Sequence, residues 1–112
     1  MTVSRNKFKK TLGSFATGVT IVTTCLDNKR HGLTVNAFSS LSMDPPLVLI
    51  CIDKKTESNR ILKQSKIFAI NILDKKQKNL SKIFSDPNNK NRFYGVKTTT
   101  KITGSPIIVN SL

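Results

Sequence analysis

The chain is short of almost everything from which a self-sufficient catalytic centre is built. Histidine occurs once, as His31, and cysteine twice, as Cys25 and Cys51, with no Cys-x-x-Cys pair and no Cys/His cluster. A structural zinc site of ordinary spacing is therefore excluded. The six acidic residues are scattered, and Asp53 with Glu57 is the only close pair. Charge balance for Lys54 and Arg60 accounts for that pair as well as acid/base work does. No Ser/His/Asp arrangement, no Gly-x-Gly-x-x-Gly run and no P-loop lysine is present, so neither a nucleophilic triad nor a nucleotide-binding loop is signalled. An enzyme so poor in reactive side chains needs a bound cofactor to supply the reactive centre.

Long hydrophobic runs are lacking too. The longest, Pro45 to Ile52, falls far short of the ~20 residues a membrane helix requires. The opening stretch Met1 to Lys7 has no apolar core of a secretory signal. A cytoplasmic protein without a membrane partner is the expectation. Cys25 and Cys51, both inside apparent strands, are then expected to be buried or half-buried free thiols.

What the chain does have is lysine. Its 112 residues carry 19 Lys+Arg against 6 Asp+Glu, a net charge of +13. Such a surface attracts anions, but 15 of the cations are Lys and only 4 are Arg, and no cluster is longer than a pair. Base reading leans on Arg, so no nucleic-acid partner is expected. A basic surface that helps to hold an anionic cofactor fits better.

The length suits one domain with a single core. Ser4 can cap a helix over 5–14, with Phe8, Leu12 and Phe15 facing the core. The β-branched run Val19 to Leu26 reads as a strand, Asp27 to Gly32 as a turn, and Leu33 to Ser42 as the returning strand. Pro45-Pro46 imposes a break. The apolar run from Leu47 to Ile52 then suits a strand covered on both faces. Helices are expected over 56–64 and 77–84, the latter with Leu80, Ile83 and Phe84 on one side, and a strand over 67–73. Two weaker strands follow, near 96–102 and 106–110. With hairpin connections early in the chain the sheet is largely antiparallel. The fold class is mainly β (α+β), a small barrel with peripheral helices.

Two stretches concentrate polar chemistry. Thr34, Asn36, Ser39, Ser40 and Ser42 crowd short donors and acceptors into a strand and its exit, either as a slot for a planar heterocycle or as a polar face turned to water. Asp53 to Ser58 brings hydroxyls and two lysines to a helix start, either as a phosphate site or as an ordinary cap. His31, in the turn-like Asn28–Gly32 segment, reads as a hairpin-end residue or as a general base.

Three blocks of sequence carry a resemblance: Phe15 to Thr24, His31 to Ser42 followed by Asp44 to Val48, and Phe68 to Leu73 followed by Leu80 to Phe84. Their order and spacing resemble the flavin reductase-like, FMN-binding split-barrel family over nearly the whole chain. The resemblance implies an antiparallel split β-barrel. It also implies NADH- or NADPH-dependent reduction of FMN or FAD, a homodimer, and a monooxygenase component that receives reduced flavin. It assigns Thr34, Val35 and Asn36 to the isoalloxazine. Ser40, Leu41 and Ser42 go to its pyrimidine end and ribityl chain, and Ile52, Asp53, Lys54 and Ser58 to the flavin phosphate. No catalytic side chain and no metal ligand is implied. Family members continue past the Gly104–Ile108 strand through a Gly-Asp-His segment, so residues 1–112 are expected to form a flavin reductase-like domain incomplete at its C-terminus. A non-catalytic flavin-binding module is the alternative.

Overall fold

The computed structural model describes residues 2–15 and 17–112. Met1 and Ala16, the latter within the Phe15–Thr24 block, lie outside the described residues. The Ser4 hydroxyl accepts a hydrogen bond from the Lys7 N–H (3.2 Å) and starts helix α1, Arg5–Gly13. The helix is where its cap and spacing put it, but its apolar side is not covered. Phe8, Leu12 and Phe15, expected in the core, are exposed, Phe15 by 74%. Helical spacing identifies the apolar side without saying what covers it.

Strands β1 (Thr20–Leu26) and β2 (Lys29–Val35) form an antiparallel hairpin, with Leu26 opposite Lys29. The turn is only Asp27-Asn28, both at positive φ (52° and 63°). Asp and Asn tolerate that region, and a two-residue turn of this kind matches the twist of its strands. Lys29 to Gly32, expected as turn, is therefore strand. The returning strand is also shorter than expected. It breaks at Asn36-Ala37, and Phe38–Met43 forms β3 in a different sheet, paired with β4 (Pro46–Ile50). Pro46 begins β4 opposite Met43, a strand-end position where a missing N–H is tolerated.

Helix α2 (Glu57–Ser65) is capped by the Thr56 hydroxyl, which accepts from the Asn59 N–H (3.2 Å). Strand β5 (Ala69–Ile72) pairs with β1 on the side opposite β2. A 3-10 turn, Lys75–Gln77, leads into helix α3 (Lys78–Ile83). Two short strands, β6 (Thr98–Thr99) and β7 (Ile107–Ile108), pair near the end.

The strands thus form three antiparallel sheets, ordered β2-β1-β5, β3-β4 and β6-β7. The antiparallel expectation holds, but the described residues do not close into a barrel. The central strand β1 is buried on both faces from Thr20 to Thr24. On one face Thr24 Oγ1 donates to the Ile67 carbonyl (2.8 Å) beyond the end of α2. On the other, Ile21 packs with Phe84, Phe93 and Ile108, partly buried Leu80 and Ile83 adding to the cluster. Each such side chain contributes about 1.5–3 kcal/mol when fully removed from water. Asn71 knots this face: its Nδ2 donates to the Ile21 carbonyl (2.9 Å) and its Oδ1 accepts from the Ile108 N–H (2.8 Å).

The Leu47–Ile52 run does not match its expected double cover. Leu47, Val48 and Leu49 are each nearly half exposed, and Cys51, expected in a strand, is an exposed residue beyond β4. A two-stranded sheet has no neighbour to shield its outer margin. Cys25 is half-buried, as expected.

Candidate functional site

The first predicted group straddles the break between β2 and β3. Thr34 is half-buried; its hydroxyl donates to the Ser81 carbonyl (2.7 Å) and its N–H to the Phe84 carbonyl (3.2 Å). Val35 is turned into the core, and its carbonyl accepts from Thr20 Oγ1 (2.6 Å). Asn36 is exposed, with its carbonyl held by the Phe38 N–H (2.9 Å). Further along β3 the register shifts between Ser40 and Ser42. Ser40 and Leu41 are exposed there and Ser42 is half-buried.

The second group forms the turn into α2. Ile52 is half-buried, and Asn59 Nδ2 donates to its carbonyl (3.4 Å). The Asp53 carboxylate accepts from the Lys55 N–H (2.9 Å), while its carbonyl accepts from the Thr56 hydroxyl (2.8 Å). Lys54 is exposed, and Ser58 is half-buried in the first turn of the helix.

Two seams join the groups. The Cys51 N–H donates to the Ala37 carbonyl (3.1 Å), carrying the β3–β4 ladder up to the strand break. Ser58 Oγ lies 2.9 Å from His31 Nε2, tying α2 to β2. The side chains are divided nonetheless. Thr34 stands opposite Ile21 and His31 opposite Thr24, so strand alternation puts the Thr34 and Ser58 hydroxyls on opposite faces of the sheet. Thr34 and Val35 can offer a ligand little beyond backbone, whereas Asn36, Ser40 and Lys54 stand open.

Sequence reasoning missed a strongly basic recess on the outer edge of β2. A cavity of about 440 Å3 lies between that strand, the first turn of α2 and the 87–93 loop. Lys29, Arg30, Lys90 and Arg92 line it, with Glu57 the one carboxylate. Arg92 is fixed by two carbonyls, donating through Nη1 to Gly32 (2.8 Å) and through Nη2 to Asp86 (2.9 Å). Arg30 donates to Thr98 Oγ1 (3.1 Å), and its guanidinium lies 4.8 Å from the Phe93 ring centre. Glu57 is drawn to Arg60 (3.3 Å). Burial, then the charge of Arg92, holds the His31 pKa below its ordinary value; Glu57 opposes this and Arg60 adds to it. His31 is thus a neutral bridge to Ser58 on strand β2, not a turn residue. The available signal was the rarity of arginine: two of its four occurrences line this one recess. Among the described residues no group of His, Cys, Asp and Glu is placed to hold a metal, and no helix is long and apolar enough to cross a membrane.

Comparison with known proteins gives this arrangement its context. The flavin reductase like domain matches residues 12–112. The chain belongs to that family. Among flavin reductase-like relatives, the reductase subunit HsaB of a flavin-dependent monooxygenase from Rhodococcus jostii is 38% identical across 98% of this chain and 56% of the relative. The chain therefore spans about half the length of the curated relatives it matches. The crystal structure of nitrilotriacetate monooxygenase component B from Mycobacterium thermoresistibile superposes with a TM-score of 0.92 at 39% identity, over 96% of this chain and 60% of that one. The NADH:FAD oxidoreductase SgcE6 of Streptomyces globisporus, solved with NAD and FAD fragments, gives 0.86 at 32% identity, over 96% and 65%. The antiparallel sheets described above are thus the flavin reductase-like architecture as far as this chain reaches.

Proposed function

We propose that this chain carries the activity of an NAD(P)H:flavin oxidoreductase, reducing FMN or FAD with NADH or NADPH and supplying reduced flavin to a partner monooxygenase. The observation that carries the reading is near-complete coverage of this chain by reductase components of such monooxygenases, in both sequence and fold.

The donor set suits a flat ring with an anionic tail. The exposed Asn36 amide and the hydroxyls at Ser40 and Ser42 are short enough to lie beside a ring, with Leu41 as an apolar neighbour. Backbone groups of Thr34 and Val35 would border the same ring. Exposed Lys54 stands just ahead of α2, where cation and helix start together favour a phosphate. Ile52, Asp53 and Ser58 shape that turn. When bound, flavin supplies the hydride acceptor. Holding two flat rings in contact accounts for much of the acceleration of a hydride transfer, so the chain needs no dedicated acid or base.

Residues 1–112 act in this reading as one flavin reductase-like domain of a cytoplasmic homodimer. The apolar sides of α1 and of the β3–β4 hairpin meet a second copy, and covering them completes a split barrel. Their exposure supports this, because patches of that size rarely stay bare.

Absorbance of the purified chain with FMN or FAD, recorded anaerobically before and after NADH, tests the proposal. Bleaching of the flavin band is the expected result. A bound but unbleached flavin would leave a binding module, and no bound flavin would end the reading.

A further inference from the structure

The polar strand exit makes no use of the basic recess beside β2. Four cations share it, and its one carboxylate is engaged by Arg60. Like charges gathered in a concavity repel one another and weaken the folded state, and a bound polyanion relieves that repulsion. Two of the four are held in place. Arg92 is braced by the Gly32 and Asp86 carbonyls and still has N–H groups to spare. Arg30 is braced by Thr98 and by the face of Phe93. Lys29 and Lys90 add flexible ammonium groups. A volume of about 440 Å3 is more than one phosphate fills and lies within the ordinary range of nucleotide-sized sites. The recess adjoins the α2 turn through the His31–Ser58 contact (2.9 Å).

We propose that this cavity binds the diphosphate of a dinucleotide, with Arg30, Lys90 and Arg92 as its principal ligands. The diphosphate belongs to FAD or to the nicotinamide donor, and in that respect alone the proposal rests on the reductase reading.

The test is titration of the full chain with ADP, AMP, FMN, FAD and NADH, followed by calorimetry. ADP is expected to bind about tenfold tighter than AMP, the worth of one good charge-assisted contact. Arg30→Gln with Lys90→Gln should weaken ADP about tenfold or more while leaving FMN unchanged. Lys29→Gln with Lys90→Gln, at exposed positions that carry no packing, should weaken it about fivefold. Lys10→Gln with Lys101→Gln removes the same charge elsewhere and should change it less than about twofold. A matching loss for FAD identifies the flavin as the source, and one for NADH identifies the donor. Equal binding of AMP and ADP, an equal loss in the charge-matched control, or no loss for either dinucleotide overturns the proposal. Absence of FMN binding in the parent chain would instead count against the reductase reading.

Discussion

Two regions of this molecule are equally apolar in sequence and opposite in fate. Around β1 every side chain from Thr20 to Thr24 is buried, and Phe84, Phe93 and Ile108 close over Ile21. Along α1 and the β3–β4 hairpin, Phe8, Leu12, Leu41 and Met43 lie open, Met43 by 95%. The difference lies in neighbours rather than composition. β1 has a strand on each side and packing on both faces, whereas β4 has β3 and little else. The covered region holds the fold, and the bare one is left available for assembly.

The sharpest way to test the contrast is to remove packing where it is densest. Phe84→Ala should cost about 3–5 kcal/mol in denaturant unfolding; a loss below about 1 kcal/mol would mean that the Phe84–Phe93 contact, with ring centres 5.0 Å apart, is not the centre of the core. Asn71→Leu comes next. It leaves the Ile21 carbonyl and the Ile108 N–H unpartnered in a buried site, so about 2–3 kcal/mol should be lost by the same measurement. Gly32→Ala should cost about 1–3 kcal/mol, since a Cβ there would stand 2.7 Å from the Phe84 ring.

On the bare side the expectation reverses. Met43→Ser should change the stability of the monomer by less than about 0.5 kcal/mol, yet shift any monomer–dimer equilibrium seen by sedimentation toward monomer. A loss of stability without a change in assembly would break the comparison. The smallest effect belongs to pH. His31 has a folded pKa below 6.5 because of burial and then Arg92, so the unfolded chain takes up its proton first as pH falls. Its contribution is therefore constant well above pH 6.5, declines as pH drops through 6.5, and levels off once the folded ring also protonates. The wild-type chain minus His31→Gln, compared by thermal melts from pH 8 to 5, should show that decline.

Local signals were legible where they act locally. The Ser4 cap, the Thr56 cap and the helical spacing of Leu80, Ile83 and Phe84 all stand in the sequence, and the structure uses each. The run from Leu33 to Ser42 misled, because nothing in its alternation marks Asn36-Ala37 as the point where the chain changes sheets. Covering was illegible altogether: Leu47 to Leu49 read as doubly buried, since an apolar run records the wish for a partner and not its presence. The two polar stretches were visible as composition, and their meeting along the Cys51–Ala37 seam fits that reading. The division of Thr34 from Ser58 across the sheet depends on register, and the recess on residues sixty positions apart. Asn71 was the clearest missed cue, a lone amide in the middle of Ala69-Ile70-Asn71-Ile72.

Phe93 belongs to two neighbourhoods at once. Its ring meets Phe84 edge-on inside the molecule and carries the Arg30 guanidinium on its outer side. A fault in the interior that tilts this ring must therefore drag a positive charge at the surface with it. Damage to packing and damage to anion recognition would travel together here, and a loss-of-binding phenotype could originate in a residue no ligand ever touches.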